Sequence, residues 1–332
     1  MIKQRVPMVD VLYALGTILV ILGHSHSSNG ATFEGTPLVW LIQAIYSFHM
    51  PLFFFVAGFL HRNSSAIHKA GYGKWAGEKL LKLLTPYIVL SAVAFFPKYY
   101  LENGSFQGID LEMVLGLLFN PRTTVWGHFW FLPVLSGLYL VFGLWKKCIT
   151  EKQEPVALLV TLVSIVVLNV LPFETDWLGY NDLISGAFYF TLGMLWHICV
   201  ERGKCSGKCS AAWTGGAGVL TAMALLVLFS GVKFFVPIIA CLMIYACWQL
   251  AALLGQRKWA SWVSAHNFTF YIYGWLFQSV VMLVCDRLTF PWYLTTPVMF
   301  MTGLICPVVM ICVYERLPWL HCKFFDLLLG VK

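Results

Sequence analysis

Charge is scarce in this sequence. Only 11% of its 332 residues are Asp, Glu, Lys or Arg, against roughly 25% in a soluble domain. A chain of that size with so few charges cannot coat a soluble globule, because the outer layer would be apolar. The shortage excludes a soluble enzyme and a disordered chain alike. Cysteine is plentiful, at ten, but the pattern of a disulfide framework is missing. Cys241, Cys247, Cys306 and Cys312 lie in apolar runs, where a thiol behaves as a small hydrophobe. Cys205 and Cys209 flank Ser-Gly-Lys with Cys199 nearby, and no fourth ligand completes a metal site. Free thiols on the reducing side are expected there, and no metal. The first apolar run is not followed by a clean small-x-small cleavage site, so it is read as a retained helix rather than a signal peptide. No appended soluble domain and no obvious internal repeat stand out.

What is present is apolar length. Hydrophobic residues make up 59% of the chain, with 14 Trp and 14 Tyr, the two side chains that settle at bilayer interfaces. With a spanning helix of about 20 apolar residues as the ruler, the pattern predicts an all-α, polytopic membrane protein. Ten spans are expected near residues 8–26, 37–60, 80–97, 127–145, 155–172, 182–200, 212–230, 234–254, 267–285 and 293–314. They form one membrane-embedded domain over residues 1–332. Leu111–Phe119 is apolar but too brief to span, which suits the interface. With the N-terminus and its Lys3 and Arg5 on the cytoplasmic side, only Lys98, Arg122, Lys233 and Arg287 of the 22 basic residues fall outside. That bias supports the count and places both termini in the cytoplasm. It also accounts for the net charge of +7, so nucleic acid is not an expected partner; the lipid bilayer is.

Polar groups inside a lipid span carry the functional signal, since each costs free energy unless paired or hydrated. On the first helix these are Asp10, Tyr13, His24 and His26. At 100° per residue, Tyr13 and His24 lie about 20° apart around the helix and roughly 16 Å apart along it. Asp10 sits about 40° off that line, and His26 points to nearly the opposite side. The second helix carries His49 near mid-membrane, beside Pro51. That proline donates no backbone hydrogen bond and frees a carbonyl one turn earlier, and a kink with a histidine beside it is one way to line a polar cavity.

In order along the chain, these runs resemble a known family. Val9-Asp10-Val11-Leu12-Tyr13-Ala14-Leu15-Gly16, closing with Val20-Ile21-Leu22-Gly23-His24, is similar to the first helix of the acyltransferase 3 family of integral membrane O-acyltransferases. Phe48-His49-Met50-Pro51-Leu52-Phe53-Phe54-Phe55-Val56-Ala57-Gly58 resembles its second-helix signature, above all in the branch related to fucose 4-O-acetylase. Lys79-Leu80-Leu81-Lys82-Leu83-Leu84-Thr85-Pro86-Tyr87, Phe129-Trp130-Phe131-Leu132-Pro133 and Phe270-Tyr271-Ile272-Tyr273 resemble later stretches. One departure matters: Tyr13 stands where the family has a basic residue. A tyrosine donates a hydrogen bond but brings no fixed charge.

The resemblance implies transfer of an acyl group, usually acetyl from acetyl-CoA, to a hydroxyl of a cell-surface glycan or lipid-linked saccharide in a bacterial cytoplasmic membrane. A hydroxyl needs a positioned base near neutral pH, which histidine supplies. His24 is the expected base, with an acetyl-histidine intermediate as another route. His49 is expected as partner, oxyanion donor or relay, and Tyr13 and Asp10 as the inner end of the cavity. Arg62, Lys79 and Lys82, in the basic cytoplasmic stretch, suit the CoA phosphates, although positive-inside topology alone also explains them. Arg122, Trp126, His128 and Trp130 gather at an outer helix mouth as an acceptor platform or as an ordinary aromatic belt. Two rival readings stay open. One is a transporter or flippase for a lipid-linked saccharide, which would also want intramembrane histidine but has no reason to share the ordered motifs. The other is a relative silenced by Tyr13.

Overall fold

The structure, a computed structural model, describes residues 7–26, 36–64, 66–122, 127–171, 175, 177–203, 208–229, 232 and 234–330, with the side chains at 68, 101, 102, 118, 128 and 208–211 outside that description. The described residues form helices and turns, and no strand. Every expected span has a helix: α1 (Pro7–Gly23), α2 (Pro37–Arg62), α4 (Tyr72–Asn103), α6 (Phe131–Cys148), α7 (Glu154–Val170), α8 (Tyr180–Glu201), α9 (Lys208–Leu228), α10 (Phe235–Leu254), α12 (Asn267–Arg287) and α13 (Trp292–Arg316). Between them lie the short helices α3 (Ala66–Ala70), α5 (Leu111–Phe119), α11 (Lys258–Ala265) and α14 (Lys323–Leu329). Among the described residues, seven helices are long and apolar enough to cross a membrane, and α1, α7 and Ala212–Leu228 are shorter apolar helices.

Several boundaries differ from expectation for local reasons. α4 has 32 residues and carries Pro86 and Pro97 within it, so it extends beyond the apolar window 80–97 at both ends. At about 1.5 Å per residue it is ~48 Å long, and its ends are polar. The stretch expected to open a span at 127 instead begins as a 3-10 turn, Gly127–Trp130, before α6. α2 carries Pro51 inside its 26 residues. α5 starts at Asp110, whose carboxylate accepts the Met113 N–H at 2.8 Å, a side-chain cap on an otherwise orphaned helix donor.

The helices gather into two compact units. The first comprises residues 1–53 and 206–332. In it α1 packs against α10, α11, α12 and α13, while α9 pairs with α10 and α12 with α13. The second comprises residues 54–205, where α6 packs on α4 and α8, and α7 on α8. Within this unit α2 and α8 touch backbone to backbone. A Cβ on Gly58 would lie 2.0 Å from the Phe190 carbonyl oxygen, and one on Gly193 would lie 2.0 Å from that of Phe55. Small residues at such crossings let two helices approach in lipid, where no hydrophobic drive pushes them together.

Apolar side chains also cover the outside. On α7 only Glu154, Leu158 and Ile165 are buried, and Val156, Val160, Val163 and Val170 are all more than half exposed. A contiguous apolar face of that kind is a membrane surface rather than a water-facing one. The protein is a multi-pass membrane protein.

Candidate functional site

α1 ends at Gly23, and the chain turns at once. The His24 N–H still bonds to Val20 O at 3.1 Å, but Ser25 bonds back to Leu22 O at 3.0 Å, a tighter turn. His24 therefore stands at the end of the helix. His26 lies beyond it, where 100° steps no longer apply, and the expected divergence of the two histidines fails. Both rings approach Tyr46 of α2 edge-on, His24 at 5.7 Å and His26 at 6.4 Å between ring centres. His49 meets the same tyrosine at 5.2 Å. Tyr46 and His49 are three residues apart on one helix face, which is the signal that could have pointed to Tyr46 as the fourth member.

Hydrogen bonds order this cluster. His49 is buried, and its Nδ1 lies 2.8 Å from Ile45 O. A carbonyl only accepts, so Nδ1 carries the proton and the neutral ring presents a lone pair at Nε2. In that state Nε2 accepts and does not donate, so an oxyanion-donor role for His49 would require the protonated ring. His24 Nδ1 lies 3.1 Å from the Tyr46 hydroxyl, which can donate or accept. Among the described residues no group of three His, Cys, Asp or Glu converges as metal ligands.

The other two expected members of the first-helix stripe have different neighbours. Asp10 is buried. Its two oxygens accept hydrogen bonds from Ser261 Oγ at 2.8 Å and Ser264 Oγ at 2.9 Å, which ties α1 to α11. Tyr13 packs on Phe53 at 6.0 Å between ring centres. Neither serine stood out in the sequence, since each lies about 250 positions from its partner.

The basic candidates lie in the second unit. The Arg62 guanidinium bridges Glu154 of α7 and Glu201 of α8, each at 3.0 Å. Beside it opens a cavity of about 330 Å³ lined also by Asn63, Ser64, Lys146 and Thr150. Lys146 closes the end of α2 by donating to the carbonyls of His61, Arg62 and Ser64 at 3.1, 2.7 and 2.7 Å. Lys79 of α4 sits 4.2 Å above the Tyr139 ring, a cation–π contact. Lys82 is partly buried three residues further along α4, on the same face.

Of the outer aromatic group, Arg122 and Trp130 come together. Arg122 grips Asp182 with Nε and Nη2 at 2.5 and 2.6 Å, and its guanidinium covers one face of Trp130 at 4.2 Å. That face of the indole is already taken by a protein cation. Trp126 lies outside the described residues, and so does the side chain of His128, whose backbone belongs to the 3-10 turn.

Comparison with known proteins agrees with this arrangement of motifs. The profile of the acyltransferase 3 family, described as an acyltransferase domain, matches residues 7–314. The chain belongs to this family of membrane acyltransferases. It is also similar to the nodulation protein NolL of Mesorhizobium japonicum, with 23% identity covering 92% of this chain and 85% of that one. A second nodulation protein NolL, from Sinorhizobium fredii, is 31% identical over 52% of this chain and 47% of its own. No solved structure gives a significant match.

Proposed function

We propose that the protein moves an acetyl group from cytoplasmic acetyl-CoA to a hydroxyl of a cell-surface glycan or lipid-linked saccharide. It would do so in a bacterial cytoplasmic membrane, as a single functional domain of ten spans with both termini inside. The observation that carries the reading is the gathering of His24 and His49 about Tyr46, within the stretch that matches an acyltransferase profile.

The chemistry follows from the donors and acceptors. With Nδ1–H directed at the Tyr46 oxygen, His24 Nε2 takes the proton of the acceptor hydroxyl as its oxygen attacks the thioester carbonyl. A C–O bond forms, the C–S bond breaks, and the departing thiolate recovers the proton from His24. His49, a fixed acceptor at Nε2, is the second proton-handling group. Asp10 holds α11 in place, and Tyr13 shapes the same helix without contributing charge. Lys79, Lys82 and Arg62 are assigned to the CoA phosphates, Arg62 by exchanging one of its carboxylates for a phosphate. Arg122 and Trp130, with Trp126 and His128, are assigned to the acceptor.

The test is incubation of membranes bearing the protein or its His24→Ala variant with radiolabelled acetyl-CoA and a crude glycolipid extract. Labelled glycolipid from the parent alone supports the reading. Equal label from both removes His24 from the base role. Absence of label with the parent folded overturns acetyl transfer and favours the transport reading.

A further inference from the structure

A histidine that follows the last turn of a helix needs something to hold both its backbone and its ring. The structure supplies one group for each. Gln278 of α12 lies 257 positions from Ile21, yet its Nε2 donates to Ile21 O and to Ser25 Oγ, both at 2.8 Å. Ser25 Oγ donates in turn to Ile21 O at 2.6 Å. The three groups close a small ring of hydrogen bonds around the turn that carries His24. Both Gln278 and Ser25 are buried, at 1% and 0% exposure.

The amide has only one usable orientation. Ile21 O accepts and cannot donate, so the amino end must face it. Gln278 Oε1 is then left buried with no hydrogen-bond partner among the described residues. Gly303 of α13 makes the room. A Cβ there would lie 2.8 Å from Gln278 Cδ and 2.7 Å from Ile21 Cγ2.

We propose that Gln278 and Tyr46 are positioning residues for His24, Gln278 holding its backbone through Ile21 and Ser25, and Tyr46 accepting its Nδ1–H so that Nε2 is the unprotonated nitrogen. The proposal rests on the acyl-transfer reading above. Neither residue touches the reacting atoms. Both act by fixing which nitrogen of His24 faces the acceptor and where, and misplacement by about 1 Å is enough to slow a reaction roughly 100-fold.

The experiment uses the full-length protein in detergent, with Tyr46→Phe and Gln278→Met, each close to its parent in volume. The melting temperature of every variant is recorded, and transfer from acetyl-CoA to glycolipid extract gives kcat and KM separately. Nitrogen-15 NMR of labelled histidine, with His24 assigned by its loss in His24→Gln, reads the tautomer independently of turnover. The expected result is a kcat drop of roughly 10- to 100-fold with KM within about twofold. The His24 signals should show one tautomer in the parent and a mixture in Tyr46→Phe. Gln278→Glu, which keeps the length and can still donate when burial keeps its carboxyl protonated, should lose less than Gln278→Met. Unchanged kcat in both variants overturns the proposal, as does a loss of melting temperature that accounts for the whole activity change. If the parent transfers nothing, the acyl-transfer reading fails. The NMR arm then still decides the positioning: a single His24 tautomer in the parent that becomes mixed in Tyr46→Phe supports it, and equal tautomer populations in both overturn it.

Discussion

In the first unit a pair of serine hydroxyls holds Asp10, a tyrosine hydroxyl holds His24 and a backbone carbonyl holds His49. In the second, Arg62 and Arg122 meet carboxylates, and Lys79 meets an aromatic face. Neutral partners hold a side chain by geometry without fixing its charge. Opposite charges pin a side chain in one state, and where the pair is buried, as for Arg62 and Glu154, removing either partner strands the other in low dielectric. On the acyl-transfer reading proposed above, proton chemistry is assigned to the first kind of environment and anion capture to the second.

The strongest way to break this contrast is to remove one group from each unit and compare kinetics with stability. His24→Ala should lower transfer by roughly 10²- to 10⁴-fold with little change in melting temperature, measured on the same purified sample. Gly193→Leu should act through stability instead. The new side chain would meet the Phe55 carbonyl, and a loss of about 3–5 kcal/mol should appear as failure to give a monodisperse peak in fluorescence-detected chromatography. The double variant Ser261→Ala, Ser264→Ala removes two hydrogen bonds from a buried carboxylate. It should cost about 2–4 kcal/mol, read as a drop in thermal stability that Asp10→Asn partly restores.

Glu154→Gln and Glu201→Gln sharpen the comparison inside the second unit. The Glu154 side chain is 10% exposed and that of Glu201 is 49% exposed, so solvent screens the second pair far more. Glu154→Gln should cost about 1–3 kcal/mol, allowing for the partial exposure of Arg62, and Glu201→Gln about 0.5 kcal/mol or less. Equal costs would show that burial does not set the strength of these pairs. The smallest effect is expected at Arg122→Gln. Its side chain is 48% exposed, and its stability contribution should stay within about 1 kcal/mol, checked by thermal shift.

How legible was this in the sequence? Helix positions were, because lipid selects apolar runs of one length and each of the ten windows matches a helix. The extension of α4 beyond its window was not, because its polar ends need only helix propensity and carry no hydropathy signal. His24 and His49 were visible as costly polar residues in apolar runs. Tyr46 was hidden because an aromatic in a membrane helix reads as ordinary packing. His26 was misplaced because an angular count along α1 assumes a helix that in fact stops at Gly23. Ser261, Ser264 and Gln278 were out of reach, since their partners come from the opposite end of the chain. The pairing of Arg62 was missed for a different reason. A topology argument counts basic residues by loop and does not ask which acidic side chain each one meets.

The crossing of α2 and α8 has a mechanical consequence. Where two helices meet through side chains, rotamer changes let one slide along the other by small steps. At Gly58 and Gly193 there is no side chain to rotate, and each glycine faces a carbonyl of the opposite helix. The two helices are keyed together at two points along their length. A slip of one residue would bring a Cβ against the carbonyl that now faces each glycine, so these two contacts resist shear between the helices.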